Sequence, residues 1–220
     1  MNIALILARL GSKRIKYKNI KNFFGKPIIY YPIRACKKSK IFDKIYVSTE
    51  SRKIKSIVIK YGASVPFLRP KKLADNNTST IKVIKHFIDK MKFQGDTNIC
   101  CLYPATPLLK PNILKKFYKQ FLKDKKNFLI PAIVAKSKEK KKFTINKNNK
   151  IKIIKNSNKF YKDSGQFYFG TAKLFKAKKS ILMSESCKII KLSNNFAVDV
   201  NTMQDWKLVK KIYKKNIRNV

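Results

Sequence analysis

The stretch NIALILARLGSKRIKYKN, residues 2–19, joins an apolar run to a basic loop. Residues 2–8 are almost entirely apolar, which is typical of a strand buried on both faces of a parallel sheet. In the loop that follows, Gly11 and Ser12 let backbone N–H groups face an anion. Cationic side chains of the same loop, among them Arg9, Lys13 and Lys18, supply positive charge. Because ligands of such sheets bind beyond the carboxyl ends of the strands, the stretch predicts a phosphate site there.

The loop lacks the glycine spacing of the common nucleotide-binding motifs. It is neither Gly-x-x-x-x-Gly-Lys-Ser/Thr nor Gly-x-Gly-x-x-Gly. The chain has 47 Lys and 6 Arg among 220 residues, so a cluster of three cations also arises by chance. On its own, the loop leaves a phosphate site and a chance cluster both open.

Strand-like and helix-like segments alternate along the rest of the chain. Further strands are predicted over residues 44–49, 98–103, 128–135 and 188–192. Amphipathic helices are predicted over residues 27–38, 51–61, 78–92, 111–123 and 202–215. The first helix is expected to begin at Pro27, the second to stop at Gly62, and Thr202 to cap the last. The alternation predicts an α/β fold, a three-layer sandwich with a mostly parallel sheet, formed by residues 1–220 as a single domain.

Residues 136–162 interrupt this alternation. They contain eleven Lys and one acidic residue, Glu139, around a turn at residues 146–149. The composition predicts a small hairpin excursion from the main sheet. Two interpretations stay open: a solvated loop or, for the wider region 136–185, a surface for contact with a second subunit.

The formal net charge of +42 comes almost entirely from lysine. Specific nucleic-acid sites favour Arg, whose planar fork binds two oxygens at once, so no specific nucleic-acid partner is predicted. Drift toward A/T-rich codons and a real affinity for polyanions or anionic membranes both remain explanations of the charge. No apolar run approaches the roughly 18 residues of a spanning helix, so no membrane insertion is expected. The N-terminal residues lack the basic segment of a signal peptide.

The cysteines and the histidine of this sequence indicate neither a metal site nor a nucleophilic catalytic pair. The four cysteines show no metal-binding spacing, so we expect free thiols in a reducing cytoplasm. They are Cys36, Cys100, Cys101 and Cys187. The only histidine, His86, is interpreted as structural, so no Ser-His-Asp or Cys-His pair is available. Glu50 follows the second strand and either orients a ligand or is a solvated acid at a helix start.

Six short blocks make a resemblance specific. They are ARLGSKRIKYKNI at 8–20, VSTE at 47–50, VPFLRP at 65–70, LADNNTST at 73–80, YPATPL at 103–108 and DVNT at 199–202. In this order they resemble the signatures of the sugar-acid cytidylyltransferases, which make CMP-activated nonulosonic acids such as CMP-sialic acid. The resemblance implies the nucleotide-diphospho-sugar transferase type of α/β sandwich and, as in relatives, a cytoplasmic homodimer.

A seventh block, DSGQFYFG at 163–170, distinguishes between subfamilies. Sialic acid members carry Arg-x-Asn-Gly-x-x-Tyr in this region and Gln where this chain has Tyr103. The form found here resembles the pseudaminic acid cytidylyltransferases. The residues alone indicate only a polar, aromatic strand that either faces a pocket or packs as core.

The resemblance implies that CTP and a nine-carbon 2-keto sugar acid give a CMP-sugar and pyrophosphate. Such a reaction depends on positioning and charge neutralisation more than on covalent catalysis. By position, the residues expected to bind the nucleotide are Ala8, Arg9, Gly11, Ser12, Lys13, Lys18, Asn19, Arg69 and Thr80. The residues expected on the sugar side are Tyr103, Gln166 and Tyr168. Arg9, Lys18 and Asp199 are the expected catalytic groups.

The expected metal site departs from the family pattern, Asp-x-Asp-Thr. Two carboxylates two residues apart lie on one face of an extended segment and suit Mg²⁺. Here the pair is Asp199 and Asn201, and a neutral amide oxygen binds Mg²⁺ more weakly than a carboxylate; position 76 likewise has Asn where relatives commonly have Asp. Three explanations stay open: Asp199 and the CTP phosphates suffice, Asp205 compensates, or the enzyme is weakened.

Two further functions stay open at this point. One is the same transfer to a sialic, legionaminic or octulosonic acid. The other is a basic binding protein that retains the fold, no longer catalyses because of Asn201, and uses its lysines on polyanions or membrane surfaces.

Overall fold

The computed structural model describes residues 1–135, 142–146, 148, 150–152, 159–182 and 186–218. The strands are β1 (Asn2–Leu7), β2 (Asn22–Phe23), β3 (Lys26–Pro27), β4 (Lys44–Ser48), β5 (Asn98–Leu102), β6 (Phe128–Val134), β7 (Thr144–Ile145), β8 (Ile151–Lys152), β9 (Tyr161–Asp163), β10 (Phe167–Thr171) and β11 (Cys187–Lys191). The α-helices are α1 (Tyr30–Ser39), α2 (Arg52–Ile59), α3 (Thr80–Met91), α4 (Pro111–Leu122), α5 (Ala172–Ala177) and α6 (Met203–Arg218).

A central sheet of seven strands spans the described residues, in the order β11-β6-β10-β5-β1-β4, with β9 paired to β6. β1 pairs in parallel with β4 and β5, and β11 pairs in parallel with β6. β10 runs antiparallel between β5 and β6. Five strands therefore share one direction, which confirms the predicted mostly parallel sheet and brings their carboxyl ends to one edge.

Helices cover both faces of this sheet, as predicted. Ala4 and Ile6 of β1 face a cluster that includes residues of α1, α2 and α4, whereas Ile3 and Leu5 face residues of α3 and α5. Successive strand residues point to opposite faces, so an uninterrupted apolar strand fills both cores. The predicted helix stop is also confirmed: Gly62 follows α2 with a φ of 85°, a conformation that glycine adopts without strain.

The prediction that a helix begins at Pro27 is wrong. Lys26–Pro27 forms β3, which pairs with β2 across a tight turn, and α1 starts at Tyr30. Phe24 and Gly25 both have positive φ, which matches the twist of a two-residue hairpin. The Asn22 side chain closes this turn, because its Oδ1 accepts a hydrogen bond from the Gly25 N–H at 3.0 Å.

The predicted hairpin excursion is present where the chain is described. β7 and β8 pair antiparallel, and Asn146 Oδ1 accepts from the N–H groups of Asn148 and Lys150 in the connecting turn. Residues 136–141, 147, 149, 153–158 and 183–185 lie outside the described residues. The second subunit expected against 136–185 stays a prediction.

The last helix closes the edge of the sheet where the strands end. Thr202 Oγ1 accepts from the Asp205 N–H at 3.2 Å, and Asp205 Oδ2 accepts from the Thr202 N–H at 2.7 Å, which confirms the predicted cap. Trp206 and Val209 are buried against Phe23 of the first hairpin. Within the described residues no helix is long and apolar enough to cross a membrane.

Candidate active site

A cleft of about 360 Å³ lies beyond the carboxyl ends of β1 and β5. Ten of the residues predicted for the site line it: Arg9, Ser12, Lys13, Lys18, Asn19, Arg69, Thr80, Tyr103, Asp199 and Asn201. The strands bring these distant segments together at one edge. The other four predicted residues, all of them described, do not line the cleft: Ala8, Gly11, Gln166 and Tyr168.

The basic loop, residues 9–19, is held by contacts to neighbouring segments. The Leu10 N–H donates to Glu50 Oε1 at 2.7 Å, and the Ser12 N–H donates to the Leu10 carbonyl at 2.8 Å. The Ser12 amide is thus engaged in a turn, against the expectation that it faces an anion. Asn19 braces the loop, since its Nδ2 donates to the Arg9 carbonyl at 2.8 Å.

Three of the five cations in the basic loop were assigned to the site, and they have different surroundings. Arg9 is half-buried, and its Nη1 donates to the Ala74 carbonyl at 3.4 Å. Lys13 is exposed. Lys18 Nζ donates to the Val200 carbonyl at 2.5 Å, which ties the basic loop to the turn that carries Asp199. Burial lowers the pKa of Lys18, and the Asp199 carboxylate opposes this effect.

Glu50 joins the basic loop to Arg69. Its Oε2 lies 3.3 Å from Arg69 Nη2 while its Oε1 accepts from Leu10. Only 3% of the Arg69 side chain is exposed, and its Nε has no hydrogen-bond partner within the described chain. Glu50 is therefore paired on both oxygens and is not a solvated acid, while Arg69 keeps one buried donor without a described partner.

The acidic turn, residues 199–202, forms the opposite side of the cleft. Asn201 Nδ2 donates to Asp199 Oδ2 at 2.6 Å, and Arg14 Nη2 donates to Asn201 Oδ1 at 3.0 Å. Burial raises the pKa of Asp199, and the hydrogen bond from Asn201 opposes this effect. Asp205 Oδ2 accepts from the backbone of Asn201 and Thr202, so it holds the helix cap rather than reaching into the cleft.

Asp163 is a cleft residue that the sequence argument did not assign. Gly165, with a φ of 62°, folds the chain so closely that an added Cβ would lie 3.0 Å from Asp199 Cγ. Burial raises the pKa of Asp163, and the nearby Asp199 charge adds to that effect. The signal was present in the quoted block DSGQFYFG, where a carboxylate precedes a glycine turn beside the sheet edge.

The oxygen donors of the acidic turn suit Mg²⁺. This ion takes one or two protein carboxylates together with substrate phosphates and water. Asp199, Asp163 and the Asn201 amide oxygen are all hard donors on the cleft surface. Among the residues with described positions, no three His, Cys, Asp or Glu side chains gather as a preformed metal cage. The arrangement thus fits an ion that arrives with phosphates.

A chain of four polar side chains, called here the hydroxyl chain, borders the cleft from Thr80 to Asp163. Thr80 Oγ1 lies 3.0 Å from the Tyr103 hydroxyl, which lies 3.3 Å from the Tyr168 hydroxyl. Tyr168 in turn donates to Asp163 Oδ2, and the Gly165 N–H donates to Asp163 Oδ1 at 3.0 Å. Tyr168 itself is buried behind the lining residues, so it contributes through Tyr103 and Asp163.

Gln166 lies beneath the cleft surface and not on it. Its side chain is 1% exposed, and its Nε2 donates to the carbonyls of Ser164 and Val198 at 3.3 and 3.4 Å. The bond to Val198 fastens the segment before the acidic turn to the residue that precedes β10. Its Oε1 has no hydrogen-bond partner among the described residues, and the predicted sugar contact at this position stays a prediction.

Comparison with known proteins places the chain among the cytidylyltransferases. The family profile described as "Cytidylyltransferase" matches residues 3–207. A pseudaminic acid cytidylyltransferase of Campylobacter jejuni is 36% identical over 98% of this chain and 97% of its own length. A CMP-N,N'-diacetyllegionaminic acid synthase of Legionella pneumophila is 29% identical over 97% of each chain.

A solved structure has the same overall fold as this chain. A CMP:2-keto-3-deoxy-manno-octonic acid synthetase complexed with CTP superimposes with a TM-score of 0.78, covering 98% of this chain and 99% of its own. Its sequence identity is 14%, so this likeness concerns the fold alone. The predicted nucleotide-diphospho-sugar transferase type of architecture agrees with this neighbour.

Proposed function

The chain belongs to the cytidylyltransferase family, and on that premise we propose that it transfers CMP from CTP to a nonulosonic acid, namely pseudaminic acid. The observation that carries this proposal is the meeting of Arg9, Lys18 and Asp199 in one cleft. A triphosphate needs cations, and a metal bound with it needs a carboxylate. The cleft supplies both within reach of one ligand.

In the proposed reaction the anomeric hydroxyl oxygen of the sugar acid forms a bond to the α-phosphorus of CTP, and the hydroxyl proton passes to water. The bond from that phosphorus to the bridging oxygen breaks, and pyrophosphate leaves with its electron pair. Arg9 and Lys18 stabilise the charge that develops on the phosphates, and Lys13 adds a flexible, exposed cation. Positioning these groups is the main contribution of the chain, because phosphoryl transfer needs little covalent help from side chains.

Asp199 would hold Mg²⁺, with the Asn201 amide oxygen or Asp163 as a second donor. Bound there, the ion would supply positive charge to the phosphates of CTP. Asn201 is neutral and is already bonded to Asp199 and Arg14, so the metal site of this chain depends heavily on the nucleotide.

The sugar acid is proposed to lie beside Tyr103, Asp163 and Asp199. The Campylobacter relative named for pseudaminic acid supports this substrate over sialic acid, and Tyr103 and the block at 163–170 support it from the sequence side. Gln166 and Tyr168 act from behind this surface: Gln166 fastens the backbone and Tyr168 orients Tyr103.

The test is pyrophosphate release by the purified full chain with CTP, Mg²⁺ and each of four acids: pseudaminic, legionaminic, sialic and octulosonic. Release that requires pseudaminic acid supports the proposal. Release with another acid of the set moves the assignment to that sugar. No release at any Mg²⁺ concentration, together with salt-sensitive retention on nucleic acid, would favour a basic binding protein instead.

We also propose a cytoplasmic homodimer that uses the region 136–185. All four cysteines are free and buried, which suits a reducing compartment. Light scattering of the full chain tests the dimer, and a monomeric mass at enzymatic concentrations would contradict it.

A further inference from the structure

Three lysines form a stripe along one side of α6. Lys207, Lys210 and Lys214 follow one another at intervals of three and four residues, so they lie on one side of the helix, and all three are exposed. Met203 begins the same stripe one turn earlier and is 47% exposed. The stripe therefore presents an apolar end and a row of ammonium groups to the surface.

The tip of the hairpin formed by β2 and β3 lies against this stripe. Lys210 Nζ lies over the Phe24 ring, 5.4 Å from its centroid, and Phe24 is 42% exposed. Lys26 is exposed on the same hairpin. The residues of this surface, called here the lysine face, are Phe24, Lys26, Met203, Lys207, Lys210 and Lys214.

Phe24 occupies an unfavourable position for an aromatic residue. Phe24 and Gly25 have φ values of 48° and 81°, and a two-residue hairpin turn with both φ positive favours Asn-Gly. A bulky side chain at positive φ is strained, and an exposed ring leaves apolar surface in water. Strain at an exposed aromatic residue points to a role for the ring outside the fold.

We propose that the lysine face docks on an anionic phospholipid surface, with Phe24 and Met203 entering the interface and the lysines contacting the lipid phosphates. Charge complementarity supports this partner: residues 13–34 and 203–216, which supply the surface, contain a single acid, Asp205. Its carboxylate is bonded within the helix cap, to Asn201 and Thr202. A basic helix with an apolar edge lies in the plane of such a surface, and lysine chains are long enough to keep their ammonium groups among the headgroups. The inference goes beyond the proposed function and does not depend on it.

The ring contacts favour a lipid surface over a single-stranded nucleic acid. Bases of a single strand bind by stacking on open faces of aromatic rings. Phe24 already has Lys210 Nζ over its ring, and the Tyr213 ring lies 5.2 Å from it at an interplanar angle of 36°. Tyr17, the other exposed aromatic residue of these two segments, has two lysine ammonium groups over its ring, both at 5.6 Å. A ring edge can still enter an apolar interface when the ring faces are engaged in this way.

The experiment measures co-sedimentation of the full chain with vesicles of phosphatidylcholine and phosphatidylserine, and with vesicles of phosphatidylcholine alone. The wild-type chain is expected to bind the first and not the second. Neutralising the stripe should weaken binding about 100-fold, since each lysine near an anionic surface contributes about fivefold. The variant that does so combines K207Q, K210Q and K214Q.

A second triple variant is the matched control, because it removes three exposed lysines at the same spacing along α4 and its cap. It combines K116Q, K119Q and K123Q. Its net charge equals that of the first triple variant, so its binding should stay within about fivefold of wild type if the placement of charge matters. Thermal melts show that both variants are folded.

Two substitutions at the hairpin tip test the apolar contact. F24N and F24L both remove the ring that packs on Tyr213, but Leu remains apolar. F24N should weaken vesicle binding about tenfold, whereas F24L should stay within about threefold of wild type, since apolar burial at the interface is kept.

Equal losses in the two lysine triple variants would overturn the inference, because binding would then follow total charge. Equal binding by F24N and wild type would overturn the part assigned to Phe24. Absence of vesicle binding, with binding to polyuridine that the first triple variant weakens, would assign the lysine face to nucleic acid instead. None of these outcomes bears on pyrophosphate release from CTP, whose failure would overturn only the proposed function.

Discussion

The basic loop and the hydroxyl chain border the same cleft but act by different physics. The loop offers full charges on flexible side chains, whose attraction extends over several ångströms and weakens with salt. The hydroxyl chain is mostly neutral, is partly buried with Tyr168 fully so, and depends on where each proton points. The loop can therefore supply affinity and transition-state charge, whereas the hydroxyl chain can supply discrimination between similar ligands.

The largest expected effect comes from removing charge at the loop. Arg9→Ala should reduce kcat/KM for CTP by roughly 100-fold to 1,000-fold, the range found when one donor to developing charge is lost. Arg9 is half-buried, and the one hydrogen bond that its side chain makes to a described residue is a long one to Ala74, so the melting temperature should change little. Steady-state kinetics and a thermal melt of the same sample check both parts.

Lys13→Ala is the control for Arg9→Ala, because it removes a charge from an exposed side chain of the same loop. The loss of kcat/KM for CTP in Lys13→Ala should stay within about tenfold, as expected for a solvent-screened charge. Equal losses in the two variants would mean that the loop acts through total charge and not through the placement of Arg9.

The next effect concerns the turn at Gly165, which packs the hydroxyl chain against the acidic turn. Gly165→Ala should destabilise the fold by about 1–2 kcal/mol, because a side chain at positive φ is strained. The added Cβ would also meet Asp199 Cγ at 3.0 Å, so turnover should fall as Asp199 shifts. Denaturant unfolding and pyrophosphate release measure the two consequences.

Gly11→Ala makes the matched comparison for Gly165→Ala. Nothing lies within 4 Å of a Cβ built at Gly11, and its φ is not in the positive range. Stability should therefore stay within about 0.5 kcal/mol of wild type, as is usual for surface substitutions. A loss at Gly11 as large as that at Gly165 would contradict the assigned cause.

A smaller effect is expected where a carboxylate is restored at the acidic turn. Asn201→Asp should lower the Mg²⁺ concentration for half-maximal activity by about fivefold, because a second carboxylate binds this hard cation better than an amide does. Calorimetric titration of Mg²⁺ into the chain with CTP provides a readout separate from activity. Asn76→Asp, which adds the same charge elsewhere in the cleft, should leave the metal titration nearly unchanged.

An unchanged titration in Asn201→Asp would mean that position 201 does not touch the ion. That result would favour the arrangement in which Asp199 and the CTP phosphates are enough to bind Mg²⁺. Asp205 is a weak candidate for a substitute ligand in either case, because one of its oxygens already accepts three hydrogen bonds from Asn201 and Thr202.

The basic loop was predictable from local sequence, whereas Asp163 and the connections within the hydroxyl chain were not, for a physical reason. Arg9, Lys13 and Lys18 stand within ten residues after an unmistakable buried strand, so local pattern alone locates them. Thr80, Tyr103 and Asp163 come from a helix start, a strand end and a short antiparallel strand, and only the sheet order brings them together. Which way a hydroxyl points is decided by that tertiary contact.

The same contrast explains the local errors. Pro27 fits a helix start by its own geometry, but the turn at Phe24 and Gly25 placed it in a hairpin strand. Gln166 is polar and directly precedes the aromatic strand β10, a position that is typical of a ligand contact, and that contact stays a prediction. In the fold its amide is bonded instead to two backbone carbonyls, those of Ser164 and Val198. Nothing local distinguishes a buried amide that fastens backbone from one that binds a ligand.

The salt dependence of the kinetics distinguishes the basic loop from the hydroxyl chain. Raising NaCl from about 50 mM to about 500 mM shortens the screening length from about 14 Å to about 4 Å, so KM for CTP and for UTP should both rise several-fold. The ratio of kcat/KM for CTP to kcat/KM for UTP should stay constant, because both nucleotides carry the same triphosphate and differ only in the base, whose contacts are short-range. Over the same range the melting temperature should rise, since screening relieves self-repulsion in a chain of net charge +42. A ratio that falls with salt would mean that long-range charge contributes to the choice of base, and the separation of roles between the basic loop and the hydroxyl chain would not hold.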